Sequence, residues 1–186
     1  LGDHWQIEKL HIQKPGSPVS YALEGLDAQG LRWVWRPHES AWLGLDVQQL
    51  SLRKLTLDTG PPGPRPLPLP QSLALPLHLK LAQGQVQTLQ IDALAPITEL
   101  QVQALELNPQ PGAQHSVQQA SAQWRGVQVQ AQARIGTAAP LTLVGQATLR
   151  PVLGGDAPAW AAVLRASGDV PKLLLDGTLR GVPLPG

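Results

Sequence analysis

The chain has 186 residues and a formal net charge of +1, and 15% of its residues are charged, against roughly 25% in ordinary globular domains. These values argue against a nucleic-acid partner, because neutralising phosphates needs a stripe of basic residues, which this sequence lacks. The absence of cysteine excludes disulfides, thiol catalysis and thiolate metal sites. No apolar run approaches the roughly 18 residues that cross a bilayer, and no signal peptide is recognisable. The chain starts and stops in mid-pattern, so we expect it to be a segment of a longer protein.

Residues 1–59 read as a first β-sheet repeat that is rich in tryptophan. Apolar and polar residues alternate from Trp5 to Ile12, with a phase change near Lys9, and again over residues 19–23 and 31–36. The alternation continues from Leu43 to Leu57 with one register shift. Such a period of two places the apolar side chains on one face of each strand.

Two tryptophans of this repeat, Trp33 and Trp35, fall on the same face of a predicted strand. A paired aromatic surface of this kind serves as a sugar-binding platform, as a membrane-interface anchor or, most often, as core.

Residues 60–71 are rich in proline, which removes backbone donors and favours an extended polyproline conformation. We expect a semi-rigid connector between two sheet repeats. A ligand for SH3-type domains is the alternative, although only Arg65 supplies a basic flank.

The clearest strand signal is Leu73–Leu81, where leucine occupies every second position. Nine extended residues span roughly 30 Å, so all five leucines would form one apolar stripe. This stretch opens a second region, residues 72–186, in which leucine, valine and glutamine alternate.

The rest of the second region predicts a succession of strands separated by short turns. Short connections imply mainly antiparallel neighbours, because parallel pairing needs a crossover of a dozen residues or more. About a dozen strands are too many for a flat sheet, which must curl, split or close. The fold class is therefore all-β. The predicted strands cover residues 86–91, 97–107, 117–124, 127–135, 141–149, 160–166 and 173–179.

No constellation for catalysis or metal binding is visible. The five histidines are scattered without paired spacing, and the carboxylates fall singly at strand ends and turns. No nucleophile elbow, phosphate-binding loop or dinucleotide fingerprint occurs. We therefore predict a protein that is not an enzyme, with no catalytic residue, metal or cofactor.

The leucine stripe has two interpretations that periodicity does not separate. One face of the sheet is buried against a second sheet, as in a sandwich, or the sheet curls and its apolar face lines a groove open to an acyl chain. Sandwich cores usually mix aromatic with aliphatic residues. This chain has 4% aromatic residues and no phenylalanine, so its leucine, valine and alanine side chains suit a smooth channel as well as a core, and both interpretations stay open.

The order of motifs resembles the periplasmic region of the TamB family, within the wider AsmA-like group. A run of the type L-R-W-x-W leads to paired short segments, a proline-rich break, L-P-L-x-L-x-L, V-Q-T-L-Q-I and finally L-L-L-D-G-T-L-R-G. The matching stretches are residues 31–36, 46–58, 61–70, 75–81, 86–91 and 173–181.

The resemblance implies a long, mainly antiparallel sheet folded lengthwise into a trough, a β-taco, with an apolar interior and a polar exterior. Such a trough would shield phospholipid acyl chains between the inner and outer membranes of Gram-negative bacteria. Each buried CH₂ contributes about 0.8 kcal/mol, which offsets the cost of carrying a chain through water. On this interpretation the lining consists of Leu75, Leu77, Leu79, Leu81, Val127, Val129, Leu141, Leu143, Leu173 and Leu175.

The resemblance also implies a setting and partners. Family members are anchored in the inner membrane and extend through the periplasm, so flanking repeats of the same long chain would continue the sheet. They act with an outer-membrane partner, TamA, in assembling outer-membrane proteins. A scaffold or chaperone that uses open sheet edges is therefore the second hypothesis, and a plain structural β-sandwich module is the third.

Overall fold

A computed structural model of the chain describes residues 3–13, 19–36, 42–60, 70–152 and 160–181. These residues form one open, curled sheet of eleven strands and one short 3₁₀ turn, Val170–Lys172. The predicted all-β, mainly antiparallel class is confirmed. The strands are β1 (His4–Gln13), β2 (Ser20–Gln29), β3 (Arg32–Trp35), β4 (Leu43–Asp58), β5 (His78–Ile91), β6 (Ile97–Leu107), β7 (Gln114–Trp124), β8 (Val127–Gly136), β9 (Thr142–Pro151), β10 (Trp160–Asp169) and β11 (Leu174–Gly181).

The strand order is β1-β2-β4-β5-β6-β7-β8-β9-β10-β11, with β3 also paired to β4. Every pair is antiparallel except β4–β5. That parallel pair flanks the proline-rich stretch, whose length supplies the long crossover that parallel pairing needs. The regions 1–59 and 72–186 therefore contribute to a single sheet. Residues 61–69, most of the predicted connector, lie outside the described residues.

β2 and β3 are two halves of one strand. Both pair with β4 in the same register, in which Gln29 lies opposite Gln49 and Arg32 lies opposite Asp46. The break falls at Gly30, whose φ of +65° is in the left-handed region that favours glycine. A Cβ atom there would lie 2.6 Å from Cγ of Gln48.

The break at Gly30 belongs to one of two lines of kinks that run at right angles to the strands, the first from β1 to β6 and the second from the end of β2 to β7. At each kink the backbone pairing skips a position, and four of these positions, Gly25, Gly30, Glu99 and Ala104, have φ between +49° and +65°. On β2, β4, β5 and β6 the two lines are five residues apart. The first kink line comprises Glu8, Gly25, Arg53, Gln87 and Glu99, and the second comprises Gly30, Gln48, Ala82, Ala104 and Gln118.

The kinks keep the apolar side chains on one face. An odd spacing reverses the alternation, so β4 places leucine or valine at 45 and 47, then at 50 and 52, then at 55 and 57. Leu50 packs against a cluster that contains Ala28, Leu31, Val47 and Leu81, although it lies across the second kink line from Val47 and Leu81. The sheet therefore bends toward its apolar face. The phase change predicted near Lys9 and the register shift predicted between Leu43 and Leu57 are confirmed, and β4 skips a position at both Gln48 and Arg53.

The prediction of a strand over Leu73–Leu81 is wrong for its first half, because β5 begins only at His78. Residues 71–77, which we call the strap, run across the ends of the strands. Leu73 N–H donates to the Thr137 carbonyl (2.8 Å) and Ala139 N–H donates to the Gln71 carbonyl (2.9 Å), in the turn between β8 and β9. Six residues from that turn to His78 cover about 20 Å, which suffices for the three to four strand spacings between β8 and β5.

Candidate functional site

The strand registers align apolar residues in rows that cross the whole sheet. Residues directly opposite one another on paired strands share a face. One such row contains only hydrocarbon side chains, one indole and two glycines, without a single charged or amide group. From β1 to β11 it comprises Trp5, Ala28, Leu50, Gly84, Val102, Ala120, Ala131, Ala147, Leu164 and Gly177.

Two parallel rows extend this apolar face toward each end of the strands. They too contain no charged or amide side chain, so the face is apolar along the strands as well as across them. One row comprises Val47, Leu81, Leu105, Val117, Ala133, Gly145, Ala166 and Leu175. The other comprises Leu10, Leu23, Leu55, Leu89, Ile97, Trp124, Val127 and Pro151.

No second layer packs on this face within the part of the chain that the structure describes. Every substantial strand–strand contact is between hydrogen-bonded neighbours. Leu164, Leu175 and Leu179 are 47%, 71% and 73% exposed. A sandwich is therefore absent from the described strands. Their apolar face is exposed to solvent at these leucines.

The opposite face is polar and well solvated. One of its rows is a ladder of amides that comprises Gln29, Gln49, Gln83, Gln103 and Gln119. Another alternates in charge and comprises Arg32, Asp46, Lys80 and Glu106. In that row Arg32 Nη2 lies 3.9 Å from Asp46 Oδ2, and Lys80 Nζ lies 3.6 Å from Glu106 Oε1. The sheet therefore separates a wet face from an aliphatic one.

The strap bounds the apolar face at one end. His115 lies opposite Ile135, which lies opposite Leu143, so its side chain belongs to the apolar face. Its Nδ1 accepts from Asn108 N–H (2.9 Å), so its protonated Nε2 donates to the Leu73 carbonyl (2.8 Å). The strap therefore crosses the strand ends on the apolar side.

A fully buried threonine holds the strap in place. Thr137 Oγ1 donates to the Gln110 carbonyl (2.6 Å), and its own carbonyl accepts from Leu73 N–H and from Ser72 Oγ. This residue therefore joins the strap to two turns of the sheet.

The predicted lining residues fall into two groups. Most lie on the apolar face, whereas four lie where the strands end. Those on the face are Leu79, Leu81, Val127, Val129, Leu143 and Leu175. Leu75 and Leu77 are in the strap, Leu141 is in the turn before β9, and Leu173 precedes β11. The small residues of the face, such as Gly84 and Ala131, escaped prediction because only the register reveals their place.

The interpretation of the tryptophan pair as core is wrong. Trp33 and Trp35 are 44% and 65% exposed. Trp35 packs edge-on against Trp42 with the ring centroids 5.8 Å apart. The pair lies opposite Leu45 and Leu43, so it extends the apolar face beyond the second kink line.

The described residues contain no helix that could span a membrane and no group of three His, Asp or Glu placed to hold a metal ion. Comparison with protein-family models, with curated proteins and with solved structures gave no match. The described strands form a continuous apolar surface on one face of the sheet and a polar surface on the other.

Proposed function

We propose that this chain is a segment of a TamB-like periplasmic bridge, whose apolar face shields phospholipid acyl chains in transit between two membranes. The observation that carries the proposal is the row from Trp5 to Gly177, which crosses the sheet without a polar side chain. An acyl chain lying on this surface loses contact with water at about 0.8 kcal/mol per CH₂.

Three further features support this proposal. The small side chains of β7–β9, such as Ala120, Ala131 and Ala147, leave room above the sheet for a guest. The amide ladder and the alternating charges keep the outer face in water. Among the described residues the strap bounds one end of the face, so a chain can reach the face from the other end or along the open side.

The test uses neighbouring residues of β8 that point to opposite faces. Ala131→Asp places a carboxylate on the apolar face, and Gln130→Asp places one on the polar face. We expect native mass spectrometry with lipid extraction to find phospholipid on the wild type and on Gln130→Asp, but not on Ala131→Asp, with all three melting cooperatively. A lipid-free wild type, or equal loading of the two variants, would contradict the proposal.

A second function, scaffolding of outer-membrane protein strands, is favoured by the edges of the sheet. β11 is exposed along its entire length and pairs only with β10 among the described strands. Such an edge can accept an added strand through main-chain hydrogen bonds. Crosslinking from β11 that captures a nascent barrel strand, without any lipid on the apolar face, would establish this function instead.

A further inference from the structure

The end of the apolar face opposite the strap carries a pocket of its own. Its volume is about 270 Å³, and its walls are almost entirely hydrocarbon. The lining residues are Leu89, Ile91, Leu94, Ala95, Ile97 and Trp124.

The pocket is continuous with the apolar face. Leu89 lies opposite Ile97, which lies opposite Trp124, and all three belong to one of the apolar rows. Leu94 and Trp124 are 57% and 40% exposed, so the mouth of the pocket is open. An acyl chain can therefore extend from this pocket onto the apolar face without crossing a polar barrier.

Hydrogen bonds fix the walls of the pocket. The Gln90 amide donates to the carbonyls of Asp92 (2.7 Å) and Leu94 (2.8 Å), which shapes the turn between β5 and β6. Trp124 Nε1 donates to the Ala95 carbonyl (3.2 Å), which ties the indole to the same turn. The pocket is therefore formed before any ligand arrives.

A cation stands beside the pocket. The Arg125 guanidinium carbon lies 5.1 Å from the centroid of the Trp124 ring. Among the described residues no carboxylate is within ion-pair distance of Arg125. The described carboxylates at this end are engaged elsewhere, since Asp92 accepts from Thr59, Asp58 accepts from Gly60 N–H and Glu99 accepts from the Gln123 amide. Within the described residues, the positive charge is thus available to an anionic ligand.

We infer that this end of the groove binds amphiphiles with an anionic head group, whose acyl chain fills the pocket and whose head group pairs with Arg125. The inference rests on the proposed function, because it assigns a head-group preference to the surface that takes the acyl chain. It commits the ligand to one orientation, with the head group at the end away from the strap.

The experiment compares two probes with the same hydrocarbon chain, oleate and oleyl alcohol, binding to the 186-residue chain below the concentration at which either probe aggregates. The wild type should bind oleate about two- to fivefold more tightly than the alcohol, as expected for a partly exposed ion pair. Arg125→Gln should remove this preference and leave alcohol binding unchanged, whereas Arg125→Lys should keep part of it. Arg150→Gln is the matched control, because Arg150 lies at the same end opposite Gln128, on the polar face.

The outcomes separate this inference from the proposed function. If neither probe binds, the acyl-chain function itself fails. If both probes bind the wild type equally, or if Arg125→Gln keeps the preference for oleate, the apolar face stands as a binding surface and the role of Arg125 is wrong. Raising the salt concentration should weaken the oleate preference of the wild type without any mutation, because salt screens exposed charges.

Discussion

Two regions of this sheet share the alternation of apolar and polar residues but differ in how far their apolar side chains are buried. In β1–β7, the kinked region, the strands bend at the kink lines and bury Ala28, Leu31, Val47, Leu52 and Leu81. In β8–β11, the straight region, the strands follow an uninterrupted period of two, and Leu175 and Leu179 on the apolar face are 71% and 73% exposed. Curvature therefore decides how much of the apolar face is sheltered.

The difference teaches that a single sheet can shelter its own apolar face without a second layer. The kinked region carries bulky leucines and a valine that pack together across the second kink line. The straight region carries alanine and glycine in the same rows, such as Ala131, Ala147 and Gly177, and leaves them accessible. Stability should therefore reside mainly in the kinked region, whereas the straight region adds an accessible apolar surface beside the pocket at Leu89, Ile97 and Trp124.

The largest expected effect comes from emptying the kinked core. Leu81→Ala removes a side chain that is 7% exposed and should lower the free energy of unfolding by about 2–5 kcal/mol. Leu179→Ala, at 73% exposure in the straight region, should change it by less than about 0.5 kcal/mol. Urea unfolding of the two variants measures this contrast, and equal losses would mean that both regions are packed alike.

The next effect comes from blocking the second kink line. Gly30→Ala places a side chain at φ +65° and should cost about 1–2 kcal/mol for the left-handed conformation alone. It adds a close contact with Gln48. Gly112→Ala, at φ +83° with no atom within 4 Å of the new Cβ, isolates the conformational cost. Thermal unfolding should rank Gly30→Ala below Gly112→Ala, and the reverse order would mean that the kink tolerates a side chain.

A smaller effect, opposite in sign between the regions, comes from adding glycine. Ala104 has φ +49°, so Ala104→Gly relieves left-handed strain that exceeds the entropic cost of glycine and should stabilise by about 0.5–1 kcal/mol. Ala133→Gly, in the straight strand β8, should destabilise by about 0.5–1 kcal/mol. Chemical denaturation of both variants checks the pair of signs. If both variants are less stable than the wild type, the second kink line does not strain the backbone at Ala104.

The smallest effect is electrostatic and confined to low pH. Hydrogen bonds from His4, Gln6 and Gln29 lower the pKa of Asp27 from 3.8 to about 2. Because the folded pKa is depressed, Asp27 stabilises the kinked region above pH 4, and this contribution is lost as the pH falls toward 2. Asp27→Asn should flatten the dependence of the melting temperature on pH between 4 and 2. An unchanged slope would show that these hydrogen bonds contribute nothing to stability.

The strands were predictable from sequence where a local pattern determines them. The alternation from Ile97 to Leu107 predicts β6 with its observed bounds, because the large apolar residues of this stretch all lie on the same face of the sheet. The phase changes were also visible, although only the pairing shows that they align from strand to strand.

What escaped prediction depends on contacts between distant residues. Leu73, Leu75 and Leu77 alternate as a strand would, but the backbone of Leu73 bonds to Thr137 and to His115, which periodicity does not encode. The pocket beside Arg125 depends on a turn and a strand end that lie 29 residues apart at Trp124 and Ala95. No local sequence pattern predicts such a contact.

Photo-crosslinking from the two faces of one strand tests whether acyl chains lie on the apolar face. A photoreactive phenylalanine analogue would replace Leu164, on the apolar face, or its neighbour Arg165, on the polar face. After exposure to phospholipid, we expect lipid adducts from position 164 and none from position 165. Adducts from both positions, or from neither, would show that acyl chains do not lie selectively on the apolar face.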